Sequence, residues 1–154
     1  TGRVGMRDPL VITSLELKPE IMEVRNLRLQ EKYRQIKANE VRYETKFMED
    51  AEYMIVAFGS AARIAEKTIE LARAEGIKVG LFRPITLWPF PEKEIKEAAK
   101  NLKGILVAEI NAGMMIEDVR LAVDGAVKCA HYGRLGGIVP EPEEMVKALK
   151  EEFK

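Results

Sequence analysis

Val79-Gly80-Leu81-Phe82-Arg83-Pro84-Ile85-Thr86-Leu87-Trp88-Pro89-Phe90-Pro91 is the stretch on which the fold turns. Its first part is apolar and uncharged up to Arg83, the composition of a short strand covered on both faces. Its last part is locked by prolines, which fix the backbone and remove hydrogen-bond donors. Pro91 then opens a helix, where a missing N–H costs nothing.

The same grammar repeats outward. Upstream, residues 53–58 form a continuous apolar run, broken by Gly59 and Ser60. Ser60 suits the N-cap of the next helix, which carries Ala61, Ile64, Ala65, Thr68 and Ala72 on one face and stops at Gly76. The next strand is expected over 77–82. Downstream, the helix from Pro91 turns Ile95, Ala98, Ala99 and Leu102 inward and ends at Gly104. Residues 105–110 read as another strand, followed by the turn Asn111-Ala112-Gly113. A helix with Met115, Val119, Ala122 and Val123 inward runs to Asp124 and Gly125. A last strand over 126–132, a glycine-rich loop over 134–140 and a helix from Pro142, with Met145, Val146, Leu149 and Phe153 inward, complete the chain.

Strands and helices that alternate with short connections build a parallel sheet with helices on both faces. Residues 41–47 alternate apolar and charged side chains, as a half-exposed edge strand does. About five residues separate them from the next strand, too few for a parallel crossover, so this strand is antiparallel. The expected fold is a three-layer α/β/α domain over residues 41–154, with a mixed five-stranded sheet, mostly parallel, and one antiparallel edge strand.

Residues 1–40 read differently. Gly2, Gly5, Pro9 and Pro19 punctuate an irregular opening, in which Val11 and Ile12 suit a short extended piece. A helix follows over 19–39, with Met22, Leu29, Tyr33 and Ile36 on one narrow stripe that suits docking on a single surface. The opening reads as a linker leaving another domain, and Thr1 at the first position suggests a piece of something longer.

Composition narrows the function. The 25 basic and 25 acidic side chains cancel, which argues against a dedicated nucleic-acid or anionic-membrane surface. No apolar run is long enough to span a membrane. The single cysteine, Cys129, excludes an internal disulfide framework and a cysteine-ligated iron–sulfur cluster and suits a reducing, cytoplasmic setting. Only Gln30 and Gln35 represent glutamine, a composition that leans towards a thermophilic source.

In such a sheet, function gathers at the carboxyl ends of the parallel strands, where three loops should meet. Ser60 and the helix start beside it could hold a phosphate or carboxylate, or simply cap the helix. Glu109 could act as a general acid or base, though no partner is placed to work with it, and a structural role competes. Arg83 could bind an anion, pair with Glu109 or form a structural ion pair. Asn111 adds a polar group at the same end. His131 and Cys129 could form a dyad or be plain core or edge residues. Leu87, Trp88 and Phe90 form an apolar patch that is either an internal lid or a docking point for another chain. No catalytic residue and no metal ligand is assigned.

At this point the residues resemble a known family. Ile55-Val56-Ala57-Phe58-Gly59-Ser60-Ala61-Ala62-Arg63 is similar to the start of a transketolase C-terminal-type domain. The stretch from Ile77 through Arg83, Trp88 and Pro91 is similar to what the α subunit of the 2-oxoacid:ferredoxin oxidoreductases carries there. Val107-Ala108-Glu109-Ile110-Asn111 before a glycine turn, and Gly136 and Gly137 before Pro140 and Glu141, agree with it. Where that family often has a glutamine after the turn glycine, Met114 stands here. The resemblance spans about residues 45–153, and residues 1–40 resemble the tail leaving a pyrimidine-binding domain.

The resemblance implies an enzyme that uses thiamine diphosphate and Mg to oxidise a 2-oxoacid with coenzyme A, passing electrons through iron–sulfur clusters to ferredoxin. It places those cofactors outside this segment. The implied role here is packing against other domains and subunits within an oligomer, inactive alone; beside it, the reading of the residues themselves leaves Ser60, Arg83, Trp88, Phe90, Glu109 and Asn111 as interface or polar strand-end residues. The alternatives are the equivalent domain of another thiamine-dependent, transketolase-like enzyme, or a free-standing domain that binds a small anion at Ser60, Arg83 and Asn111.

Overall fold

A computed structural model describes residues 5, 8, 12 and 15–153. Gly2, Pro9 and Val11, read above as part of an irregular opening, lie outside the described residues. The chain divides into two compact units, Thr1–Ile36 and Lys37–Lys154. In the first, helix α1 begins at Pro19 and continues to Asn39, and none of its residues is buried. Of its expected stripe, Met22 and Ile36 are half-buried while Leu29 and Tyr33 are more exposed.

The second unit holds β1 (Tyr43–Lys46), β2 (Tyr53–Ala57), α2 (Gly59–Ala74), β3 (Val79–Pro84), α3 (Glu92–Ala98), β4 (Gly104–Glu109), α4 (Met115–Val123), β5 (Cys129–Gly133) and α5 (Pro142–Glu152). The sheet order is β1-β3-β2-β4-β5. Strands β3, β2, β4 and β5 are mutually parallel, and β1 runs antiparallel to β3 at the edge. This is the expected mixed five-stranded sheet.

The strand period of two divides the core. Ile55, Ala57, Leu81, Leu106 and Ala108 face α2 and α5. Met54, Val56, Phe82, Ile105 and Val107 face α3 and α4. Because both faces are covered, β2, β3 and β4 read as unbroken apolar runs. Strand β1 lies outside this cover and keeps its charges; its Tyr43 ring stacks on Phe82, with centroids 4.9 Å apart.

Arg73 of α2 ties this edge down. It donates to the carbonyls of Val79 (2.8 Å) and Phe47 (2.7 Å) and to the Asp50 carboxylate (2.7 Å). That contact holds the Asp50 carboxyl below its usual range. Phe47 ends β1 with a positive φ of 58°.

Two sequence expectations need correction. Gly104 does not terminate a helix: α3 stops at Ala98, and Gly104 is the first residue of β4. It is glycine because the Phe153 ring lies where a side chain would start, 2.3 Å from an added Cβ. The last strand also starts later than expected, at Cys129, because the turn at Asp124 and Gly125 runs on through bends at Ala126 and Val127.

Gly80 makes the comparable close approach on β3. A Cβ there would lie 2.4 Å from Met48 Sδ and 2.8 Å from the Phe47 carbonyl oxygen. Gly80→Ala is expected to destabilise the domain by about 1–3 kcal/mol through overpacking, read as a lowered urea midpoint at unchanged slope.

Candidate functional site

The topology places a crevice between β2 and β4. After β2 the chain turns into α2 on one face of the sheet; after β4 it turns into α4 on the other. Adjacent parallel strands whose following helices diverge leave a cleft at their carboxyl ends. A cavity of about 220 Å³ occurs there, lined by residues 58–61 from one side and 109–111 from the other. Ser60, Glu109 and Asn111 thus come together, as expected of strand-end residues.

Ser60 is not the cap of α2. The helix already begins at Gly59, whose φ of 56° turns the chain out of the strand one residue earlier. Phe58, which precedes it, supplies no side-chain bond to the helix start. The hydroxyl of Ser60 belongs to an exposed residue in the first turn.

Glu109 is buried, with 1% of its surface exposed. Its carboxylate accepts the backbone N–H of Met115 at 2.8 Å, of Ile116 at 3.1 Å and of Met114 at 3.2 Å. Asn111 Nδ2 donates to it at 3.1 Å, and Asn111 Oδ1 accepts the Gly113 N–H at 2.7 Å. A negative charge against the free amides of a helix start is favourable both as a set of hydrogen bonds and against the helix dipole. Glu109 therefore caps α4 from five residues upstream of its cap position. His131 Nε2 stands 3.7 Å from Glu109 Oε1, beyond hydrogen-bond distance. The carboxylate's hydrogen bonds go to the start of α4 and to Asn111.

Arg83 goes elsewhere. It pairs with Glu44 across the β1–β3 ladder at 3.1 Å, not with Glu109. Both partners are partly solvated, so the pair contributes about 0–1 kcal/mol. Cys129 and His131 lie two apart on β5 without forming a dyad. The Cys129 thiol donates to the Val127 carbonyl at 3.6 Å, and burial pushes its pKa up.

The proline loop after β3 divides its apolar residues. Pro84, Pro89 and Pro91 are buried and Phe90 packs on the α3–α4 side of the core. Ile85, Leu87 and Trp88 point outward, Trp88 with 54% of its surface exposed. The patch is thus partly lid and partly surface. Sequence reasoning missed its extent: Ile110 and Met114 after β4, and Leu135, Ile138 and Val139 after β5, are exposed at the same end of the sheet. The readable signal was the near absence of charge in those loops.

Two outcomes test these assignments. Glu109→Gln replaces a charged acceptor with an amide that turns an NH2 towards α4. It should destabilise the protein by about 1.5–3 kcal/mol, with faster amide exchange at Met114, Met115 and Ile116. A raised thiol pKa leaves less thiolate at neutral pH, so Cys129 should react with iodoacetamide more slowly than free cysteine at pH 7.5. Reaction at the free-cysteine rate would contradict its burial.

Residues 51–145 match the family described as pyruvate:ferredoxin oxidoreductase core domain II. The chain is 40% identical over 149 residues to ketoisovalerate oxidoreductase subunit VorB of Methanothermobacter marburgensis, covering 96% of this chain and 42% of that subunit. It is 32% identical over 101 residues to 2-oxoglutarate synthase subunit KorA of the same organism, covering 66% of this chain and 27% of that one. Among solved structures, the 2-oxoglutarate:ferredoxin oxidoreductase of Magnetococcus marinus superposes with a TM-score of 0.76 at 25% identity, over 90% of this chain and 24% of that one. An inactive β4 tetramer of a split-gene transketolase matches with a TM-score of 0.60 at 16% identity, over 71% of this chain and 41% of that one, a likeness of fold alone. The chain spans about two fifths of the length of the VorB subunit it matches. By the family match across most of its length, the chain belongs to the 2-oxoacid:ferredoxin oxidoreductases, as their core domain II.

Proposed function

We propose that this chain is the C-terminal domain of the α subunit of a 2-oxoacid:ferredoxin oxidoreductase, preceded by a pyrimidine-binding domain from which residues 1–40 lead. It works by packing domains and assembling subunits, and it has no activity alone. The observation that carries this reading is the commitment of the strand-end polar groups. Glu109 caps α4, Asn111 braces Glu109 and the glycine turn, and Arg83 pairs with Glu44. None of them is left positioned as a nucleophile, base or anion clamp.

The residues present do not suit an iron–sulfur cluster or a metal–diphosphate site. A cluster needs several thiolates, and the sequence has one cysteine. Among the described residues, no three of His, Cys, Asp and Glu converge on a point that could hold a divalent ion for a diphosphate. These two observations support a reading in which the iron–sulfur clusters and Mg belong to the rest of the enzyme, and we place thiamine diphosphate, coenzyme A and ferredoxin there with them. Among the described residues, no helix is long and apolar enough to cross a membrane.

Identity is higher to the ketoisovalerate oxidoreductase subunit (40%) than to the 2-oxoglutarate synthase subunit (32%). That difference supports a branched-chain 2-oxoacid as the substrate of the whole enzyme.

Reconstitution tests the reading. The rest of the enzyme, expressed without this segment, is assayed for 2-oxoacid-dependent and CoA-dependent viologen reduction before and after this chain is added. Activity should appear on mixing and be greatest with 2-oxoisovalerate. A truncated enzyme that is fully active alone and never binds this chain would sink the proposal.

A further inference from the structure

The two ends of the sheet differ in a way that the domain's own folding does not require. At the amino ends of the parallel strands, the connecting loops carry Glu49, Asp50 and Glu52, then Glu75 and Lys78, then Lys100 and Lys103, then Asp124 and Lys128. At the carboxyl ends, residues 58–60, 84–91 and 110–114 carry no charge at all. The loop over 134–141 has only Arg134 and Glu141, and the chain entering the antiparallel edge strand at this end adds Glu40 and Arg42, which pair with each other at 3.2 Å. In a chain that is 32% charged, this depletion is confined to one end.

Exposed apolar side chains occupy the same end. Leu87, Ile110, Met114, Ile138 and Val139 project from three separate loops, Met114 with 72% and Val139 with 63% of its surface exposed. Tyr43, which begins the antiparallel edge strand opposite Pro84, lies at this end too; outside it, the exposed large apolar side chains described in this unit are Phe47 beside the edge strand and Leu121 on α4. Arg134 is neutralised in place by Glu144 at 2.9 Å. Buried Pro84, Pro89, Pro91 and Pro140 anchor two of the loops from beneath, so little loop ordering is needed on docking.

These properties exclude several occupants. Nucleic acid and anionic lipid need clustered cations, and the arginines at this end, Arg42 and Arg134, are each paired with a glutamate. The cavity of about 220 Å³ falls below the usual size of a small-molecule site, roughly 300–1,000 Å³. Charge depletion with Trp, Met, Leu and Ile at the centre is the composition of a protein interface core. It is most pronounced in permanent interfaces, which resemble a domain core cut in half.

We infer that the carboxyl-end surface of the sheet is a permanent docking face, and that its occupant is the remainder of the same subunit. The VorB relatives supply the argument for this occupant: the chain covers 42% and 40% of them, so each carries more polypeptide outside the matched region than within it. That mass has to pack somewhere, and this end is the one depleted of charge. The inference rests on the assembly role proposed above and adds the surface and the partner.

Amide exchange, read by mass spectrometry, tests it. Peptides covering 84–91, 110–116 and 134–140 are compared between this chain and the complete subunit expressed without its partner subunits. In the complete subunit their exchange should slow at least tenfold, while peptides over 48–52 and 99–103 stay unchanged. Met114→Glu in the complete subunit should release that protection; Leu121→Glu, equally exposed on α4, should not. Protection that appears only after partner subunits are added, or only as the concentration of this chain alone rises, overturns the inference in favour of another subunit or a second copy. Absent protection in an enzyme whose activity this chain restores overturns the docking face and leaves the assembly role standing. Failure to restore activity removes both.

Discussion

Cover on both faces of the central strands is the constraint from which the rest follows. Once α2 and α5 take one face of β2, β3 and β4 and α3 and α4 take the other, no face of these central strands remains for chemistry or contact. The strand ends become the surfaces where the domain can meet something else. The crossing from α2 on one face to α4 on the other opens a crevice at the carboxyl ends. In many α/β folds that crevice holds a ligand. Here its one buried carboxylate is used to start a helix.

Glu109 shows how a residue type can suggest chemistry and deliver architecture. A buried carboxylate at a strand end is the ordinary profile of a general base. What decides the matter is where its oxygens point. Three backbone amides at the start of α4 and the Asn111 side chain converge on it. Met114, at the helix cap, supplies no side-chain bond of its own. Without the carboxylate, that helix start would leave buried donors unpaired. The same contact fixes the loop that presents Ile110 and Met114, so the internal charge supports an uncharged exterior.

Much of the fold was legible because buried parallel strands announce themselves. The runs ending at Phe58, Phe82 and Ile110, punctuated by Gly59, Pro84 and Asn111, gave three strands and the helices between them. The edge strand was legible as antiparallel from its short connection, but its neighbour was not: nothing local says that residues 43–46 pair with β3 rather than β2. Helix starts were least legible. Ser60 has the chemistry of a cap, yet Gly59 adopts a positive φ and begins the helix first. Gly104 read as punctuation because a sequence cannot show Phe153, nearly fifty residues on, pressing against it. At the site, Glu109, Asn111 and Ser60 were brought together as expected. Arg83 was not, since cross-strand pairing with Glu44 depends on a register that the sequence alone does not specify.

On the function proposed above, this domain serves a 2-oxoacid oxidoreductase by presenting an apolar end to the rest of its own subunit. The most direct measurement is photo-crosslinking from position 114, with a photoreactive amino acid in place of Met114 in the complete enzyme and the products mapped by peptide sequencing. Crosslinks are expected to residues of the same subunit that lie outside this domain. A side chain at position 114 that reacts only with solvent, in an enzyme that remains assembled and active, would contradict the proposal.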